Sequence, residues 1–180
     1  MPLDPRSVAN LIIKLAVDHQ RPVTNLSLQK ILYFIHGRFL VENDEPLLDG
    51  YFEAWQYGPV HPLIYDSFKD QGSRPLIEPA TRRDLLSGRQ IPVDIPDNAQ
   101  LCSFINEVTL PYLKLSAGRL VDLSHARGSP WDALTRQFDG TRTYGMRITE
   151  QNIKDKFRFH KVSVGKNPSV GEPHEESPPH

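Results

Sequence analysis

Residues 26–40 read "LSLQKILYFIHGRFL", and how this run is read decides the fold. Leu28, Ile31, Leu32, Ile35 and Phe39 recur at the spacing of one helix face. Tyr33, Phe34 and Leu40 extend apolar surface well beyond that face. A helix that is apolar on more than one side needs neighbours on more than one side, so it belongs in the middle of its domain. The pattern predicts a helix from Ser27, a suitable N-cap, to about Asn43.

Elements on either side supply those neighbours. Upstream, Asp4 can cap and Pro5 can open a helix over 4–19, with Val8, Leu11, Ile12 and Leu15 as its stripe. Downstream, "ENDEPLLDG" is a turn, and "YFEAW" between Gly50 and Gly58 reads as a short strand. Pro59 is expected to open a third helix with Val60, Leu63, Ile64 and Phe68 inward, ending at Gly72. "RPLIEP" reads as a second short strand, giving a two-stranded element from residues near 51–57 and 74–78. Residues 79–96, with Arg82, Arg83, Gly88 and prolines 79, 92 and 96, read as an irregular exposed connection. Further helices have N-caps at Asp97, Ser116, Ser129 and Thr149, and Pro111 is expected to bend or end the first of these. Residues 163–180 hold four prolines and two aliphatic side chains, too little to offset chain entropy. The expectation is a mainly α (α+β) domain over 3–161 and a disordered tail over 162–180.

The segment "EAWQYGPVHP", residues 53–62, is a strand-to-helix junction. Gly58 can adopt a backbone angle other residues resist, and Pro59 fixes the direction in which the chain leaves it. Alternation places Trp55 and Tyr57 on one face of the strand, either packed on the central helix or presented outward. An outward Trp/Tyr pair would be an anchor for a protein partner.

Composition narrows the function. The formal charge is -1, with no global field for nucleic acid or an anionic membrane. The single cysteine, Cys102, excludes an internal disulfide and reads as a small buried apolar residue. The N-terminus lacks the pattern of a signal peptide and no apolar run is long enough to cross a bilayer, so a cytoplasmic protein is expected. The seven histidines show no metal-ligand spacing, and no GxSxG, P-loop, GxGxxG or CxxC motif is present. Asp122 and His125 are three residues apart, a spacing that suits a local ion pair or helix-end hydrogen bond better than a catalytic dyad. No enzyme, cofactor or metal is expected. Positive charge gathers in residues 135–166, with Arg136, Arg142, Arg147, Lys154, Lys156, Arg158, Lys161 and Lys166 interleaved with Tyr144, Phe157 and Phe159. Such a segment suits phosphates and stacked bases, or an acidic partner protein.

The order of "LSLQKILYFIHGRFL", "EPLLDGYFEAWQYGPVHPLIYDSFKDQG", "LVDLSHARGSPWDAL" and "ITEQNIKDKF" resembles the Panacea domain of SocA-like antitoxins, also called phage-associated GepA-like proteins, over residues 6–158. The resemblance implies a non-enzymatic antitoxin of a type II toxin–antitoxin system. It would neutralise a toxin from an adjacent gene by direct binding, with delivery of that toxin to a ClpXP-type protease as the family's variation. Toxins paired with this domain are diverse, so the resemblance does not name one. The motif residues are Gln29, Lys30, Gly58, Pro59, His125 and Trp131. Trp55, Gln56, Tyr57, His61 and Tyr65 are the candidate toxin-binding residues. The alternative is a nucleic-acid-binding regulator acting through the basic segment.

Overall fold

The computed structural model describes residues 1–137 and 145–158. The expected tail and the domain boundary at residue 161 lie outside these residues. Helix α1 spans Pro5–Asp18, opened by Asp4, whose carboxylate accepts from the Arg6 amide. Helix α2, Asn25–Asn43, is the axis of the domain. Its side chains are buried from Asn25 through Gly37 on every face, as its apolar pattern requires. It packs against α1, α3 (Pro62–Phe68), α4 (Ala99–Tyr112), α5 (Ala117–Ser124) and α7 (Glu150–Lys156). Helix α6, Pro130–Gln137, packs on α7. The domain is mainly helical.

Two caps sit before or after their expected places, by three residues and by one. Thr24, not Ser27, caps α2, and Ser27 completes a reciprocal capping box by accepting the Thr24 amide. Asn98, not Asp97, caps α4 by accepting from the Leu101 amide. Pro111 falls in the last turn of α4, which stops at Tyr112.

The β structure differs in its pairings from the sequence expectation. Strand β1, Phe52–Trp55, turns at Gln56–Tyr57 into β2, Gly58–Val60, with Trp55 opposite Gly58 and Glu53 opposite Val60. Its other edge pairs with β5, Met146–Ile148, so the antiparallel sheet has the order β2-β1-β5. Residues 74–78 form no strand. Leu76 instead donates its amide to the Val23 carbonyl and buries its side chain in the core. Pro59 belongs to β2, and the helix opens at Pro62. The stretch read as irregular contains a second hairpin, β3 (Thr81–Arg83) with β4 (Gln90–Pro92). Asn10 on α1 holds its base: its side chain accepts from the Ala80 amide at 2.6 Å and donates to the carbonyls of Ala80 (3.1 Å) and Val93 (2.7 Å).

Candidate functional site

The β1–β2 hairpin is clamped by two polar side chains of the otherwise apolar α2. Gln29 and Lys30 are both 0% exposed. The Gln29 carbonyl oxygen accepts from the His61 amide at 2.8 Å, and Lys30 Nζ donates to the Pro59 carbonyl at 3.0 Å. The Lys30 bond satisfies a carbonyl of β2, a short strand at the sheet edge with no further strand beside it among the described residues, and the Gln29 bond satisfies the amide just after it. Burying an ammonium is costly unless it is hydrogen-bonded, so Lys30 depends on the hairpin as much as the hairpin depends on it.

Gly58 makes the close approach possible. Its φ is +101°, and a Cβ there would lie 2.3 Å from Ser124 Oγ of α5 and 3.1 Å from Lys30 Cε. Ser124 is fully buried and donates to the Val121 carbonyl. The far end of the hairpin is fixed by Trp131 of α6, whose indole N–H donates to the Trp55 carbonyl at 2.8 Å. Trp131 stacks on His125, ring centroids 3.7 Å apart. Hence the motif residues Gln29, Lys30, Gly58, Pro59, His125 and Trp131 converge on one junction of α2, α5, α6 and the hairpin.

Three imidazoles in this region are held neutral. Burial pushes the pKa of His125 down to about 3, and the neighbouring Lys30 cation adds to the effect. Burial, with His61 nearby, pushes His36 down to about 4. His61 is also lowered by burial. His36 Nδ1 accepts from the Leu48 amide, while His61 Nε2 meets the Asp49 carbonyl and must therefore carry the proton. Phe52 lies between these two rings, 5.4 Å from His36 and 5.3 Å from His61. No hydrogen bond or ion pair joins Asp122 to His125, whose ring instead stacks on Trp131. Among the described residues, no cluster of three or more His, Cys, Asp or Glu can hold a metal.

The five candidate contact residues separate by exposure. Trp55 and His61 are buried. Trp55 packs on Tyr65 at 4.8 Å and donates its indole N–H to Glu53. Tyr57 does not share a strand face with Trp55, because it occupies the turn. Gln56 is exposed, and Tyr57 and Tyr65 are half-buried. The segment is thus packed, with a narrow accessible edge of Gln56, Tyr57 and Tyr65.

In the basic segment, Arg136 pairs with Asp132, Lys154 pairs with Asp44, and Arg147 lies 3.6 Å over the Tyr51 ring. Phe157 is buried against Gly37 of α2. These groups are engaged within the domain; Arg142, Tyr144, Phe159, Lys161 and Lys166 lie outside the described residues. No helix among the described residues is long and apolar enough to cross a membrane.

Several residues of this architecture were not singled out from the sequence: Asn10, Ser124, and Glu53 as the Trp55 partner. Asn10 and Ser124 share one signal, a small polar side chain buried on the apolar face of a helix.

Residues 28–132 match the family described as antitoxin SocA-like, Panacea domain. That span starts at the α2 clamp and ends just past Trp131. The chain is also 45% identical over 177 residues to the protein named Antitoxin SocA of Caulobacter vibrioides (strain NA1000 / CB15N), covering 98% of this chain and 94% of that protein. No solved structure matches. The family match over residues 28–132 and the near full-length identity place this chain in the SocA-like, Panacea domain antitoxin family.

Proposed function

We propose that this protein is an antitoxin that neutralises a cognate protein toxin by binding it directly. The observation that carries the reading is the 45% identity, over nearly the whole chain, to a protein named as an antitoxin. Its fold suits the task, because α2 and the hairpin are locked together and present a preorganised surface, which lowers the entropy cost of association. On the clamp, Gln56, Tyr57 and Tyr65 form the edge a toxin can reach, and Trp55 and His61 shape that edge from beneath. Neutralisation is by covering the toxin's active or target-binding surface, with handover to a ClpXP-type protease as a second outcome. The toxin is encoded beside this gene, and the pair acts in the cytoplasm.

The test is co-expression of this chain, alone carrying a tag, with each adjacent reading frame. The expected result is a neighbour that is toxic alone, silenced by this chain and co-eluted with it in fixed stoichiometry. A set of neighbours that are neither toxic nor retained overturns the reading.

A further inference from the structure

The β3–β4 hairpin ends in a feature that nothing in the clamp explains. Residues 84–88, "DLLSG", turn the chain, and the side chains of Leu85 and Leu86 are 95% and 99% exposed. The next most exposed leucine, Leu63, is at 40%. Single exposed apolar residues are ordinary, but an adjacent, wholly exposed pair at the tip of an ordered turn is not.

The turn is built to hold that pair outward. The Asp84 amide donates to the Arg89 carbonyl, and the Gly88 amide donates to the Asp84 carbonyl, both at 2.8 Å. The Asp84 carboxylate accepts from the amide and hydroxyl of Ser87. Gly88, at φ +68°, supplies the left-handed residue that returns the chain to β4. At the other end, Asn10 fixes the base of the hairpin to α1, and the Ser7 hydroxyl donates to the Asp94 carbonyl at 2.6 Å. Ordering has thus been achieved before any partner arrives, as an anchor requires.

Charge around the tip is one-sided. Arg82, Arg83 and Arg89 flank the leucines, against the single carboxylate of Asp84, which is turned into the loop. The chain as a whole is at -1, so this hairpin is a local positive feature on a weakly negative protein. The base borders a mixed groove of about 450 Å³, in which Ile77, Val93 and Ile95 lie beside Lys14, Asp18 and Asp94.

We propose that the Leu85–Leu86 tip is the main anchor for the toxin, inserting into an apolar pocket rimmed by carboxylates, with Arg82, Arg83 and Arg89 matching that rim. The proposal rests on the antitoxin reading and deepens it. It moves the main contact from the Gln56–Tyr57–Tyr65 edge to a hairpin on the α1 side of the domain. Anchors of this kind carry most of the binding energy, while flanking charges set the association rate.

The experiment uses the full chain and the toxic neighbour identified by co-expression. Three forms are compared: the native chain, L85S/L86S, and Q56A/Y57A. The leucines touch little of the fold, so L85S/L86S is expected to keep the native melting temperature. It is expected to weaken toxin binding on the order of 100-fold, mostly through faster dissociation. Q56A/Y57A, at the secondary edge, is expected to weaken binding by a smaller factor, on the order of 10-fold, and a loss larger than that of L85S/L86S overturns the assignment of the main anchor to the tip. The native association rate is expected to fall with rising salt, and R82E/R89E to flatten that dependence.

Equal toxin affinity for the native chain and L85S/L86S overturns the proposal and leaves the antitoxin reading standing. Failure of the native chain to retain any toxic neighbour overturns both. Self-association of the native chain that disappears in L85S/L86S, with toxin binding intact, also overturns it by assigning the tip to a second copy.

Discussion

Gly58→Ala tests the clamp at its tightest point. The structure imposes two separate costs on it. The backbone at Gly58 has φ +101°, where an L side chain is strained by roughly 1–3 kcal/mol. The added methyl would also sit 2.3 Å from Ser124 Oγ, and relieving that overlap costs roughly 1–3 kcal/mol more. The sum is about 4 kcal/mol, a drop in melting temperature of roughly 10 °C for a domain of this size. The two costs are separable, because only the second involves Ser124. Ser124→Ala removes the hydroxyl and leaves a Cβ 3.3 Å from the new methyl. Alone it is mild, about 1 kcal/mol, since the lost bond to the Val121 carbonyl duplicates one that carbonyl already accepts from the His125 amide.

Urea unfolding of the native chain, G58A, S124A and the double variant closes a mutant cycle. The double variant is expected to be more stable than additivity predicts by about 1–3 kcal/mol, while a backbone cost remains. Strict additivity would mean that α5 does not press on the hairpin at this point. A loss below about 1 kcal/mol in G58A alone would refute both the strain and the contact.

The same packing sets other outcomes. Trp55→Ala should cost about 3–5 kcal/mol in urea unfolding, because it empties the space beside Tyr65; full thermal stability combined with lost toxin binding would instead make Trp55 a contact residue. Asn10→Ala removes three hydrogen bonds from the base of β3–β4 and should cost about 2–3 kcal/mol, read as faster amide exchange at Ala80 and Val93 than at Leu32 of the core. The depressed histidines set a pH dependence. His36 at about 4 and His125 at about 3 stay neutral in the folded chain while their unfolded counterparts, near 6.5, take up protons as pH falls. Their contribution is fully present above pH of about 6.5 and declines by about 1.4 kcal/mol per unit for each imidazole as pH drops from there towards about 4. Urea unfolding at pH near 7.5 and near 5 should therefore differ by about 4 kcal/mol, and equal stability at the two would refute the buried, neutral assignment.

The central helix was legible because its signal is local. Leu28, Ile31, Leu32, Ile35, Tyr33 and Phe34 lie within a few turns of one another, and all are buried as their pattern implies. The β pairings were not legible, because the decisive partner is remote. Phe52 pairs with Ile148, and no periodicity links two short segments so far apart in the chain. "RPLIEP" carries the same apolar signal as a strand, but Leu76 is a single plug beneath the start of α2. "GPVHP" offers prolines at 59 and 62, and either can open a helix. The choice falls to Pro62 because Gly58–Val60 finds a partner in β1, a tertiary gain that outweighs a local preference.

The site shows the same division. A glutamine and a lysine inside an apolar helix mark a place where something polar must be met, since neither is buried without a hydrogen-bonding partner. What they meet, the His61 amide and the Pro59 carbonyl, lies 32 and 29 residues away and is a backbone group that any residue would present. The family resemblance named the side-chain half of this clamp, and the other half was not legible. Asn10, which satisfies backbone groups 70 and 83 residues distant, was not singled out at all. The exposed leucines reverse the case. Leu85 and Leu86 lie in the stretch read as exposed, and the turn geometry of Asp84, Ser87 and Gly88 holds them outward although they are apolar. Buried polar residues and an exposed leucine pair are two kinds of departure from the ordinary inside–outside rule among the described residues. The first binds the domain to itself, and the second is the anchor we propose for the toxin.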